Sequence, residues 1–274
     1  ILFVFYFFHM VKIAKNNVTH PSILLSTDTL WGYGLDLIFS IAKDSWCQWI
    51  DLALRKNYDT RHETYVKKLI DEYQIPVEII QTSSKVNAKE LNQAVVLAQT
   101  TGAKHIAINA PSYFEVKAYS FLTSNLHTYQ EQYPDIQFSI ISPDNTSMKY
   151  LPLPKYRFAN LADIIKKYKC HLGLDIAAID EETLENFVIV KMPALVEHIS
   201  VCYVSDRQKE KKYLLPWEWT YNIAAILKSL YQYNYTGFFS IKLDLDPQIL
   251  VDNDKVLWLI TKSVEYICNH SWGQ

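Results

Sequence analysis

An apolar run near the C-terminus, GFFSIKLD (Gly237 to Asp244), ends by delivering Lys242 into what reads as a buried strand. An ammonium group there is costly unless a carboxylate meets it, so the run implies an acidic partner. Two similar runs supply candidates: QFSIISPDN (Gln137 to Asn145) reaches Asp144, and HLGLDIAAID (His171 to Asp180) carries Asp175. A fourth run, HISVCYVSD (His198 to Asp206), ends at Asp206 with Arg207 next, a pair able to bind a polar substrate group or to pair with itself at the surface. Trp217, Glu218 and Trp219 form an aromatic loop tip suited to stacking on sugar faces or to plain packing, and Trp31 and Tyr33 could form an opposite wall. Lys242 itself reads either as a structural counter-ion or as an electrophile and hydroxyl anchor. His105, inside AKHIAINAP, reads as a core histidine before a ligand, and RQKEKK (Arg207 to Lys212) as a solvated loop face that could attract a phosphate.

Strands that stop at chemistry need a fold that gathers strand ends at one face, and the chain repeats such units. Short apolar runs at Ser22 to Leu30, Trp46 to Leu54, Ile75 to Ser83, Ala103 to Pro111, Gln137 to Ser142, His171 to Asp175, Ile199 to Ser205 and Gly237 to Leu243 are predicted strands. Helical spacing predicts helices over Leu35 to Ser45, Glu63 to Ile75, Ala88 to Gly102, Tyr119 to Gln132, Asn160 to Tyr168, Glu181 to Val190, Asn222 to Asn234 and Val256 to Ile267, with Gly102 as a C-terminal cap. Eight alternating βα units predict one (β/α)₈ TIM barrel, with an open doubly wound sheet as the alternative.

Composition narrows the function classes. The chain has 274 residues, 49% of them hydrophobic, enough for one large core and near the size of a single barrel. With 27 basic against 29 acidic residues there is no global positive field for a polyanion, so no nucleic-acid partner is expected. The four cysteines (Cys47, Cys170, Cys202, Cys268) are widely spaced and read as reduced, mostly buried thiols of a cytoplasmic protein. Only six glycines are present, and none falls into a phosphate-cradling pattern. The apolar stretch at residues 1–9 is about half the length needed to span a bilayer and is read as an extension outside the fold, with residues 10–274 as the barrel domain and no membrane partner.

Several local motifs carry a resemblance: GAKHIAINAP (Gly102 to Pro111), WIDL (Trp49 to Leu52), LGLDIAA (Leu172 to Ala178), VSD (Val204 to Asp206), GFFSIKLD, and LLPWEW (Leu214 to Trp219), which is similar to an LPxGEG loop with tryptophans at the glycine positions. With the strand order, they make the chain resemble the xylose isomerase-like barrel superfamily, which includes sugar phosphate isomerases and epimerases and the endonuclease IV type of AP endonuclease. The resemblance implies a divalent metal (Mn, Mg, Co or Zn) at the C-terminal mouth, held by carboxylates from strands five and eight, an Asp from strand six and a His from strand seven. Of those positions only Asp175 is kept: the others fall on Ser142, with Asp144 two residues on, on Val201 and Tyr203, and on Lys242, while Ala178 stands where a further His is expected. No cofactor is therefore expected unless the ligand mapping differs. The resemblance implies instead a divergent isomerase or epimerase binding a small polyhydroxylated carbohydrate, in which Lys242 takes over the metal's charge, Asp175 and Asp144 are candidate bases, and Asp51, Asp206, Arg207, Trp217, Glu218 and Trp31 are candidate substrate contacts. A non-catalytic sugar- or partner-binding barrel is the alternative, and an AP endonuclease is the remote one.

Overall fold

In each strand, residues alternate between an outer layer under the helices and the barrel lumen, and this sets which side chains share the interior. Ile23 and Leu25 of β1 (Ser22–Ser26) join the outer core, whereas Leu24 packs inside with Ile79, Ala107, Ile141, Val201 and Tyr203. The remaining barrel strands are β2 (Trp49–Ala53), β3 (Val77–Thr82), β4 (His105–Asn109), β5 (Gln137–Ile141), β8 (His171–Asp175), β9 (Ile199–Val204) and β12 (Phe238–Ile241). Two hairpins lie between them, β6 (Ser147–Met148) with β7 (Leu151–Pro154), and β10 (Asp206–Gln208) with β11 (Lys211–Leu214). The eight barrel strands pair in parallel and close in the order β1-β12-β9-β8-β5-β4-β3-β2, a (β/α)₈ TIM barrel. This is a computed structural model, and it describes residues 21–54, 58–143, 147–148, 151–154, 161–179, 187–208, 211–218 and 222–271.

The helices form because their apolar residues recur on one face. In α1 (Leu35–Asp44) these are Leu35, Ile38, Phe39 and Ala42, all buried. Burying Leu35, Ile38 or Phe39 contributes roughly 1.5–3 kcal/mol each relative to exposure. The others are α2 (Glu63–Tyr73), α3 (Ala88–Thr101), α4 (Val116–Gln132), α5 (Leu161–Tyr168), the short α6 (Met192–Leu195), α7 (Ile223–Gln232) and α8 (Asn253–His270). Asn87 caps α3 by accepting the Glu90 N–H at 3.1 Å, and Gly102 ends it at φ 82°, a left-handed turn that glycine adopts without penalty.

The structure corrects some boundaries. The first strand stops at Ser26, four residues early, and Thr27–Leu30 forms a 3₁₀ turn. Its threonines serve neighbouring strands instead: Thr27 Oγ1 accepts the Ala53 N–H, and Thr29 Oγ1 donates to Ile241 O while accepting from Leu243 N–H. The second strand begins at Trp49 because Trp46 sits at φ 70°, off the strand conformation. Of the helix expected over Glu181 to Val190, residues 181–186 lie outside the described residues, and Phe187–Lys191 is a π-helical turn leading into α6. The β10–β11 hairpin forms where a solvated loop was expected. Residues 1–9 also lie outside the described residues, and among the described residues no helix is long and apolar enough to cross a membrane.

Candidate functional site

The alternation along β12 aims Phe238, Ser240 and Lys242 into the lumen, with Lys242 at the C-terminal mouth. The same rule aims Asp51 inward from β2 and Asp175 inward from the end of β8. All three are enclosed, at 0% exposure for Asp51, 3% for Asp175 and 4% for Lys242. Burial pushes both carboxyl groups up, Asp51 to about 6, and in each the Lys242 charge is the largest opposing influence. One ammonium group thus serves two buried carboxylates, and the structure brings Lys242 and Asp175 together as the sequence implied. Its Nζ also stands 4.7 Å from the centre of the Tyr203 ring and 5.4 Å from that of Tyr213, within cation–π range. Tyr203 fits beneath because β8 has Gly173 there; a Cβ on Gly173 would lie 3.3 Å from the ring and 3.1 Å from the Ile141 side chain.

The two carboxylates differ in what they have left to offer. Asp175 Oδ1 accepts the Ala177 N–H at 3.1 Å and Oδ2 accepts the Tyr213 hydroxyl at 3.0 Å. Asp51 Oδ2 accepts the Ser240 hydroxyl at 2.9 Å, while Oδ1 is buried without a hydrogen bond. Ser26, the register partner of Asp51 on β1, is close enough to favour the ionised form but outside hydrogen-bond geometry. Both amide atoms of Gln81, the hydroxyl of Ser139 and that of Ser205, just past the end of β9, are likewise buried and unbonded.

The β10–β11 hairpin covers this group. Tyr213 holds a left-handed backbone at φ 62°, with its carbonyl accepting the Asp244 N–H at 2.7 Å, and its ring and hydroxyl reach Lys242 and Asp175. Asp206 and Arg207, expected either as substrate contacts or as a surface pair, are buried at the hairpin base. Asp206 Oδ1 accepts the Arg207 N–H at 2.6 Å, and Arg207 Nη1 donates to Ala177 O at 3.4 Å. The surface-pair alternative is therefore corrected: strand pairing folds both residues under the hairpin.

Other sequence candidates lie elsewhere. Trp217 rests against Tyr266 of α8, ring centres 5.9 Å apart, and lines a shallow surface groove of about 240 Å³ with Trp258 and Lys262. Lys242 is not among the residues of that groove, and the aromatic rings beside it are Tyr203 and Tyr213. Glu218 is exposed, as is Trp31; Tyr33 ties down the loop before α8 by donating to Leu250 O at 2.8 Å. Asp144 and Trp219 lie outside the described residues. Ser142, at the strand-five acid position, accepts the Asp175 N–H at 2.8 Å and so orients the carboxylate without replacing an acid. His105 opens β4 at the opposite end of the barrel, its Nδ1 3.0 Å from Glu78 Oε1. Sequence reasoning missed Ser26, Gln81, Tyr203, Tyr213 and Ser240 as site residues; strand parity, counted back from Lys242, would have put Ser240 on the lumen face.

No protein-family model and no curated protein matches the sequence. The structure, by contrast, superposes on solved barrels over nearly their whole length. A xylose isomerase domain-containing protein from Salmonella typhimurium matches with a TM-score of 0.68 at 14% identity, over 92% of this chain and 98% of that one. The fold is that of the xylose isomerase-like TIM barrels. A sugar phosphate isomerase/epimerase from Parabacteroides distasonis matches with a TM-score of 0.63 at 12% identity, over 92% and 97% of the two chains. The IolI protein, whose crystal structure contains a bound zinc atom, matches with a TM-score of 0.66 at 12% identity, over 92% and 100%.

The zinc in IolI raises the question of whether this barrel could hold a divalent ion at its own C-terminal mouth. Its described side chains do not suit one. Such an ion needs several carboxylate or imidazole donors converging on one point, and here an ammonium group already carries the positive charge between Asp51 and Asp175. Among the described residues, no three His, Cys, Asp or Glu side chains are placed to hold a metal.

Proposed function

We propose that this barrel binds a small polyhydroxylated carbonyl compound of the sugar or sugar phosphate type at its C-terminal mouth, and shifts a proton beside the carbonyl as isomerases and epimerases do. The observation that carries this reading is the enclosed array of Lys242 with Asp51 and Asp175 at the strand ends, where barrel enzymes do their chemistry. Asp51 is the better proton carrier of the two. Its Oδ1 is unbonded, and a pKa of about 6 leaves it able to accept and return a proton near neutral pH, whereas both oxygens of Asp175 are engaged. In the step, the Asp51 carboxylate takes the proton from the carbon next to the carbonyl. The C–H electron pair forms the enediol C=C bond, and the carbonyl π pair moves onto oxygen beside the Lys242 ammonium. Return of the proton to the former carbonyl carbon, with the adjacent hydroxyl proton passing to the oxyanion, gives an isomer, and a proton delivered to the opposite face by a second acid gives an epimer. The Tyr213 hairpin must lift to admit the compound and would exclude water on closing.

A second reading, a sugar-binding barrel without catalysis, is favoured by the Tyr213 hydroxyl already occupying Asp175. One experiment separates the two. The protein is incubated in D₂O with ketoses, aldoses and their phosphate esters, and the carbon-bound proton next to the carbonyl is followed by NMR. Protein-dependent exchange that Asp51→Asn abolishes supports catalysis. Calorimetric binding without exchange leaves the binding reading, and neither binding nor exchange across the panel removes both.

A further inference from the structure

The charged group at the mouth has a neutral counterpart near the C-terminal end of β3 that no sequence motif marked. Gln81 follows Ile79 by one pleat on β3 and so shares its inward face; its whole side chain is enclosed, at 0% exposure, and neither Oε1 nor Nε2 makes a hydrogen bond. Its register neighbours on both sides are alanines, Ala53 on β2 and Ala107 on β4, whose methyl groups leave the amide uncrowded and cannot bond to it. Ser26 Oγ and Asp51 Oδ1, also enclosed and unbonded, face the same lumen from β1 and β2. Buried amides and hydroxyls are normally satisfied, because leaving them unmatched forfeits their hydration with nothing in return. A surplus of both donors and acceptors, with no charge but that of Asp51, matches groups that donate and accept at once, which is what sugar hydroxyls do.

We infer that Gln81, with Ser26, is the specificity-determining element for the uncharged hydroxyl end of the bound compound, the carbonyl end lying toward Lys242. This rests on the proposed function and deepens it by assigning orientation: the hydroxyl end lies against the β3 wall beside Gln81, and the carbonyl end faces Lys242 after β12. The amide is then held unbonded in the free protein for use in the complex, so removing it should strengthen the fold while weakening recognition. A purely structural glutamine, or one bridged by buried water, behaves in the opposite way, because its loss costs stability.

The test uses Gln81→Met, which keeps length and volume, with Ser26→Ala as a second variant. Thermal melting is measured without additive, and calorimetry follows D-fructose, D-xylulose, D-xylose and their monodeoxy derivatives. Gln81→Met is expected to raise Tm by a few degrees and to weaken sugar binding about tenfold, the equivalent of one lost hydrogen bond. One monodeoxy sugar should bind the wild type about tenfold more weakly than its parent, and Gln81→Met no more weakly than its parent, so that the two losses do not add. A fall in Tm for both variants overturns the inference. Wild-type binding of these sugars that Gln81→Met leaves unchanged also overturns it while the proposed function stands; a wild type that binds none of them overturns both.

Discussion

Lys242 and Asp51 set opposite electrostatic demands, and each can be tested alone. Replacing Lys242 by Met leaves two buried carboxylates without their cation, a loss that typically costs about 3–5 kcal/mol. The expected signature is a lower urea midpoint at pH 7.5 that recovers in part at pH 5, where Asp51 takes up a proton and needs no cation. Asp51 has its pKa raised from 3.8 to about 6 in the fold. Between those values the native chain keeps a proton that the unfolded chain has released, so stability falls as pH rises from about 4 to 6 and stays lower above. The rise corresponds to ~3 kcal/mol at neutral pH. Asp51→Asn should flatten that stretch of the stability–pH curve and be the more stable protein at pH 7.5. His171 acts in the other sense: burial lowers its pKa, so stability rises with pH up to about 6.5, and the difference between wild type and Asp51→Asn removes this shared contribution.

At the scale of elements, the β10–β11 hairpin decides whether the mouth is open. A short antiparallel ladder, the Arg207–Ala177 bond, the Tyr213 hydroxyl bond and the Asp244–Tyr213 backbone bond hold it over Lys242. Tyr213 also carries a positive φ, a conformation that costs a residue with a side chain of order 1–3 kcal/mol. Tyr213→Phe keeps ring and backbone and removes one charge-assisted bond, about 1.5–3 kcal/mol of local closure. Amide exchange in Asp206 to Leu214 should therefore speed by about tenfold or more while β1 and β9 keep wild-type protection. Uniform acceleration across the barrel would show that the hairpin is part of the global unfolding unit and does not open separately.

At the scale of the whole molecule, the closed barrel puts its thiols out of reach. Cys47 and Cys170 are buried and pushed up to about 12, Cys202 is buried and raised further, and Cys268 is half-buried at about 11. All four are free. At pH 8 a thiol reagent is expected to titrate at most Cys268 within minutes in the native protein, and all four cysteines in denaturant. Fast native reaction of two or more would mean that the barrel breathes far more than its packing implies. The near-balance of 27 basic and 29 acidic residues leaves recognition to local geometry at the mouth, since no long-range field of one sign surrounds the molecule.

The barrel was legible in the chain because each unit announces itself locally. Apolar alternation marks the strands, apolar residues three and four apart mark helices such as α1, and Gly102 marks a cap whose φ was knowable from residue type. Parity within β12 likewise places Lys242 inside, and the cost of burying its charge demands a carboxylate nearby. What the sequence could not supply was which carboxylates, because that depends on the stagger between strands far apart in the chain. Asp51 and Ser240 meet only because β2 and β12 flank β1 in the closed sheet. The cap on the mouth was also out of reach: RQKEKK has the composition of a solvated loop, and only pairing with β11 turns it over Asp175. Local pattern therefore determined the elements and the inward residues, while barrel closure alone decided which of them became neighbours.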